Sequence, residues 1–272
     1  MIIMVFSFPR AVSVTSEPAK HPWIKAPRHP TVDRPGRNGS VGTTILCFHP
    51  YGDSVLVGYG DWDINSGPVD IWSINPETLE WSLESEKLPT EAVEKIVTLG
   101  DTTIALHTDP LGYYAWEDNK VGTIIGSQEQ MTGNRVIHAL DAVELPDGSW
   151  WFVGSGWETE ASAKDRAMGF LTRDRGKTWE QYAADIEYEF SYPRFQSAKV
   201  IDGLPAAYEN VYGWQVLRDG KFEAIGDMDL GSVAINKEKI PGNSSYISAT
   251  ITCLGHTLYG TRAGDIWIRK EA

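Results

Sequence analysis

A four-part pattern of short β-forming runs recurs along this chain at roughly fifty-residue spacing, and that period constrains the fold more than any single motif. Runs at residues 43–48, 54–59, 69–74 and 79–83 are apolar or β-branched. Turn-forming stretches separate them, among them His49-Pro50-Tyr51-Gly52-Asp53 and Asn75-Pro76-Glu77-Thr78. The same order returns at 93–99, 102–107, 113–116 and 121–125, at 138–145, 150–155, 168–172 and 178–182, and at 195–201, 206–210, 213–217 and 221–225. Runs at 247–254, 258–261 and 265–269 begin another unit and lack a fourth member. The register is visible in the second runs, where Val57-Gly58-Tyr59, Ala105-Leu106-His107, Val153-Gly154-Ser155, Ala206-Ala207-Tyr208 and Tyr259-Gly260-Thr261 hold equivalent places.

Four-stranded units repeated with short turns predict radial packing, which hides strand edges. The expected fold is all-β, a five-bladed β-propeller over residues 43–272, with a six-bladed ring as the alternative if the N-terminal arm adds strands. Residues 1–42 are expected to hold a closing strand and an extended arm. Proline at positions 9, 18, 22, 27, 30 and 35 forbids helix and interior strand there. Because the last unit lacks a fourth strand, residues 5–8 or 11–15 are expected to complete it. The apolar opening, residues 1–8, has no basic residue before it and reads as strand rather than leader. Arg28, Arg34 and Arg37 give the arm a positive charge against a formal net charge of −13, and are expected to dock it on the acidic body or on a partner.

That net charge argues against binding to a nucleic-acid backbone. No apolar run reaches the length of a membrane span. Cys47 and Cys253 are too few for a disulfide framework and are expected to be free thiols. No spacing of His, Cys or carboxylates marks a metal site, and no cofactor motif is present.

Residues 172–179, Thr-Arg-Asp-Arg-Gly-Lys-Thr-Trp, read as a tight hairpin. Asp174 can accept from the turn, Gly176 can take positive φ, and Trp179 can fold back over it. The segment resembles the Asp-box of sialidase-like β-propellers, carried by Thr172, Asp174, Gly176, Thr178 and Trp179. The resemblance implies a structural turn joining the outer two strands of a blade, away from the functional face.

Turns from first to second strand and from third to fourth are short, whereas the other two classes of connection are long and emerge together at the opposite end. Long loops on a rigid scaffold are where binding concentrates. Candidate ligand-facing residues there are Asp61, Trp62, Asp63, Asn65, Asp109, Trp157, Glu158, Tyr208, Glu209 and Arg262. The alternate oxygens of Asp61, Asp63 and Asn65 are calcium-like but lack the distal bidentate Glu, so solvated turn carboxylates are expected. A glycoside hydrolase would need two facing carboxylates, for which Asp61, Asp141 and Glu209 are available. The leading expectation is no catalysis.

Residues 28–40 and 58–68 are similar in style to propeller-type proteins encoded in the structural regions of tailed bacteriophages. That resemblance implies a minor tail or receptor-binding component of a virion, made in the host cytoplasm and built into an oligomeric assembly. Its partners would be neighbouring tail subunits or a host-surface glycan. The alternatives are the hydrolase on the same fold and a secreted lectin-like propeller.

Overall fold

The computed structural model describes residues 23–31, 35–36, 39–40, 44–60, 67–88, 90–108, 112–117, 120–127, 136–157, 165–184, 194–209, 213–225, 247–261 and 264–270. These residues form an all-β protein of antiparallel four-stranded meanders. The N-terminal strands are β1 (Ile24–Lys25), β2 (Pro35–Gly36) and β3 (Gly39–Ser40), the last two pairing with each other. The first unit comprises β4 (Thr44–Tyr51), β5 (Ser54–Gly60), β6 (Val69–Ile74) and β7 (Trp81–Leu88). The second comprises β8 (Ala92–Leu99), β9 (Thr102–Thr108), β10 (Gly112–Glu117) and β11 (Lys120–Ser127). The third comprises β12 (Val136–Glu144), β13 (Trp150–Trp157), β14 (Asp165–Thr172) and β15 (Glu180–Ala183). The fourth comprises β16 (Ser197–Ile201), β17 (Leu204–Glu209), β18 (Gly213–Arg218) and β19 (Lys221–Ala224). The last comprises β20 (Ile247–Cys253), β21 (His256–Thr261) and β22 (Ile266–Lys270), and β1 is its fourth strand.

Among the described residues, Ile24–Lys25 supplies the strand that pairs with β22; residues 5–8 and 11–15, expected to complete this unit, lie outside the described residues. Ala26 N–H donates to Ile266 O at 2.9 Å. Two strand boundaries also shift for local reasons. In the first unit the fourth strand begins at Trp81 because Leu79, at φ 64°, closes a turn by donating to Asn75 O at 2.8 Å. In the third, Thr178 is held in the turn and β15 begins at Glu180.

Second strands lie between neighbouring units and are buried on both faces, as β5 and β21 show. First strands of four units carry a register shift, and β16 carries none. Register shifts fall between Ile45 and Cys47, Val93 and Lys95, Ala139 and Asp141, and Ile247 and Ala249. In the first, second and last units the shift falls at the equivalent place, and in the third it comes one partner residue later, with another between Val136 and His138; such bulges bend a strand and add local twist.

The cores are seams between units. Ile45, Val57, Tyr59 and Ile71 of the first unit pack with Leu258, Ile266 and Ile268 of the last and with Val93 and Ile96 of the second. Leu99, Ile104 and Leu106 pack with Trp150, Phe152 and Phe170 of the third unit. Trp151, Val153 and Leu171 pack with Phe195, Ala207 and Leu217. Gly169 leaves room for the Trp151 indole, whose Nε1–H donates across the seam to Ala206 O at 3.1 Å.

The units point the same way. Gly60 pairs with Ala92, Thr108 with His138, and Phe195 N–H donates to Gly154 O at 3.0 Å, all where second strands end and first strands begin. At the other extremity, where tight turns lie, Arg175 of the third unit meets Asp101 of the second at 3.1 Å, and Glu77 of the first meets Lys270 of the last at 3.0 Å. These are called the loop end and the turn end below.

Candidate functional site

At the turn end, the carboxylates of Asp147 and Asp174 are answered by their own turns. Asp147 accepts from Ser149 Oγ–H and N–H, which hold its carboxyl below the usual range. The hairpin at Thr172–Trp179 is densely bonded within itself. Asp174 accepts from Thr178 N–H at 2.8 Å, Thr178 Oγ1–H at 2.7 Å and Thr172 Oγ1–H at 2.9 Å. These donors depress its pKa, the Thr178 backbone N–H most. Arg175 (φ 56°) and Gly176 (φ 89°) turn the chain, and Gly176 N–H donates to Thr172 Oγ1 at 2.7 Å. Trp179 folds back, donating Nε1–H to Gly176 O at 3.0 Å and meeting Phe152 edge-on at 5.2 Å. An open depression near Tyr51, Asp53, Ser54, Ser73, Ser82 and Glu84 also lies at this end, with Ser73 donating to Glu84 at 2.6 Å.

The loop end carries the opposite chemistry. Glu91, His107, Ser155, Glu209 and Thr261 are buried there. Burial drives the His107 imidazole down to about 3. His138 is lowered to about 4, first by burial and then by the Arg194 guanidinium. Both rings are neutral at ordinary pH, so each offers one N–H donor and one bare nitrogen acceptor. His138 Nδ1 is buried without a hydrogen-bond partner. Arg166 enters at the start of β14, opposite Gly156.

Of the candidate residues, Tyr208 and Glu209 finish β17 at the loop end. Tyr208 packs on Trp214 at 5.4 Å between ring centroids. Trp157 ends β13, its side chain outside the described residues. Asp61, Trp62, Asp63, Asn65, Asp109, Glu158 and Arg262 also lie outside them, each within a few positions of a second-strand end. Arg28 is exposed on the N-terminal segment, while Arg34 and Arg37 lie outside the described residues.

Asp141, weighed above as a hydrolytic carboxylate, is a brace. It is 4 % exposed, accepts from Ala142 N–H at 2.8 Å and Ala198 N–H at 3.0 Å, and meets Lys95 Nζ at 2.6 Å. One carboxylate thereby ties the first strands of three consecutive units. Cys47 and Cys253 are both free, and burial pushes the Cys47 thiol up to about 12. Among the described residues no group of three or more His, Cys, Asp or Glu gathers to hold a metal ion, and no helix is long and apolar enough to cross a membrane.

Sequence reasoning passed over Glu91 and Arg194, and weighed His107 and His138 only as metal ligands, for which their spacing is wrong. The usable signal was positional: each falls where a second strand ends or a first strand begins, a place where core polarity is unexpected.

No protein-family model matches the chain, and no curated protein matches it. Solved structures give loose likenesses. The extracellular domain of the one-component system BT4673 from B. thetaiotaomicron is similar at 12% identity and a TM-score of 0.45, over 82% of this chain and 27% of that one. YCF48 bound to D1 peptide is similar at 11% identity and 0.44, over 92% of this chain and 70% of that one. The WD40 β-propeller domain of Doa1 is similar at 9% identity and 0.34, over 93% of this chain and 98% of that one.

Proposed function

We propose that the chain is a non-enzymatic binding module, a five-bladed β-propeller that engages its partner through the loop end. The carrying observation is a contrast between the two ends: at the turn end Asp147 and Asp174 are bonded within their own turns, whereas at the loop end Glu91, His107 and Glu209 are buried. Perturbed titratable groups gather where a scaffold is built to meet a ligand.

The ring reading is supported by one contact that recurs. A Cβ on Gly58 would overlap Cys47 Sγ and come 2.7 Å from Val93 O, in the first strand of the next unit. A Cβ on Gly260, at the equivalent place in the last unit, would overlap Ile45 Cγ2 and come 3.1 Å from the Phe48 ring, in the first strand of the first unit. The last unit thus packs on the first as the first packs on the second. In this ring the hairpin at Thr172–Trp179 is an Asp-box with a structural role. The style of residues 28–40 and 58–68 favours a tail-associated virion protein contacting host-surface glycan or a neighbouring tail subunit.

Glycan-array and cell-surface binding, measured with wild type and with a Trp62→Ala/Trp157→Ala/Glu209→Gln variant, tests this. Binding that is lost in the folded variant, with no sugar released by wild type, is the expected result. Undiminished binding by the variant, release of sugar, or no binding to any glycan, cell or virion protein overturns it.

A further inference from the structure

Where the last unit meets the first, one contact at the turn end runs through a single carboxylate oxygen. Glu77, in the turn between β6 and β7, accepts from Lys270 Nζ at Oε1 over 3.0 Å. His256 faces the same oxygen, with Nε2 at 3.6 Å. His256 and Lys270 are cross-strand partners on β21 and β22, so the pairing presents both to the first unit. His256 is 3 % exposed, whereas the Glu77 side chain stands mostly in solvent. The other ring nitrogen fixes the tautomer. His256 Nδ1 lies 2.9 Å from Leu254 O. A carbonyl oxygen only accepts, so Nδ1 carries a hydrogen in either charge state. The neutral ring therefore turns a bare Nε2 lone pair toward the carboxylate, and only the charged ring has an N–H to give it.

We propose that His256 is a proton-operated clasp between the last and first units: protonation at Nε2 turns a lone-pair contact with Glu77 into a charge-assisted hydrogen bond across the seam. The inference stands apart from the loop-end reading. Three observations carry it. The distance of 3.6 Å is too long for a hydrogen bond, and the exposed Glu77 side chain is free of packing that would stop it closing the gap. The titratable groups set against the ring hold their charge state while it changes. Lys270, by hydrogen bond and by charge, keeps the Glu77 carboxyl below its usual range, so it stays an anion where an imidazole titrates. Cys253 faces His256 from β20, and burial raises its thiol, so it stays neutral. Finally, Glu77 and Lys270 are 193 positions apart, so the clasp acts on the join between the two ends of the described chain. The clasp is engaged in acid and lapses as pH rises through the imidazole range. That is the opposite sense to His107 and His138, which burial keeps neutral.

The test is a double-mutant cycle in the full chain, with His256→Asn, Glu77→Gln and the two together, each unfolded by denaturant at about pH 5.5 and about pH 8.5, either side of the imidazole range. Asparagine sets its amide nitrogen where Nδ1 stood, keeping a donor for Leu254 O and removing Nε2. The cycle cancels the acid response of His107 and His138, which all four proteins share. The expected coupling is about two- to fivefold in the folding equilibrium constant at the lower pH, the size of a partly exposed pair, with no favourable coupling at the higher pH. Coupling that is equal at both pH values, absent at both, or larger at the higher one overturns the proposal. If a variant does not fold, nitrogen NMR reads the neutral ring of wild type at the higher pH. Hydrogen on Nδ1 with a bare Nε2 supports the clasp. Hydrogen on Nε2 overturns it, because Glu77 would then have its donor without acid.

Discussion

Gly148 and Gly154 are six positions apart and both favour glycine, for opposite reasons. Gly148, in a turn at the turn end, has nothing within 4 Å of where a Cβ would sit, and only its φ of +80° disfavours a side chain. Gly154, on β13 toward the loop end, has ordinary strand backbone and no space, since a Cβ would overlap the His138 carbonyl. The turn end is specified by local backbone conformation. The loop end is specified by how closely strands approach, a tertiary property. Gly203 and Gly255 follow the first rule, Gly58 and Gly260 the second.

The largest effect should come from breaking that second rule. Gly154→Ala is expected to cost about 3 kcal/mol, because backbone on a first strand must move and a close-packed seam transmits the shift. Gly148→Ala is expected to cost about 1–2 kcal/mol, the penalty for an L-residue in left-handed conformation. Chemical denaturation of both variants measures the difference. Equal costs would mean that the seam yields, and the contrast between the ends would fail.

Acid should separate the ends next. His107 and His138 have folded pKa values of about 3 and about 4, below the value of about 6.5 expected when unfolded. The folded chain therefore binds fewer protons, so their stabilisation is complete above pH ~6.5 and is lost as pH falls toward the folded values. Fully buried His107 should contribute a slope of up to about 1.4 kcal/mol per pH unit across that window, half-buried His138 less. Asp147 and Asp174 have depressed pKa values, so their contribution is present above the unfolded carboxylate value and fades only as pH drops below it. Melting temperature against pH should begin to fall near pH 6.5, and His107→Gln should flatten the upper part of that fall. A profile that stays level to pH 4 and then drops would assign acid sensitivity to the turn end instead.

This division also explains what was legible in the sequence. The fifty-residue period and the Thr172–Trp179 hairpin depend on residues close together in the chain, and pattern reasoning finds such features. The buried loop-end groups depend on contacts between units. Nothing near Val93 in the sequence announces that Gly58 will lie against it, and nothing beside His107 announces that its ring will be buried. Ile24–Lys25 as a partner of β22 was not foreseen, for a related reason. Ile24–Lys25 is too short to show alternation and sits between Pro22 and Pro27, whereas residues 5–8 and 11–15 look more like strands. Its partner, the free edge of β22, is visible only in three dimensions. Asp141 follows the same logic, since its donors come from Ala142 and Ala198 and its cation from Lys95 of another unit.

The smallest contrast lies within the turn end and sharpens the claim that its constraint is local. Asp174 accepts three hydrogen bonds inside one hairpin, whereas its neighbour Arg175 reaches out to Asp101 at 3.1 Å and lies 6.0 Å from the Trp150 ring centroid. Asp174→Ala strands the Thr178 N–H and both threonine hydroxyls and should cost about 1–2 kcal/mol, because solvent can replace part of what is lost. Arg175→Ala removes an exposed ion pair and should cost below about 1 kcal/mol. Salt distinguishes the two. Raising ionic strength should shrink the Arg175 effect, since screening weakens an exposed pair even in wild type, and should leave the Asp174 effect nearly unchanged, because short bonds within a turn are screened little. If instead Arg175→Ala proved the costlier change and kept its cost at high salt, the turn end would be held by its contact with the second unit. Its stability would then be tertiary, like that of the loop end.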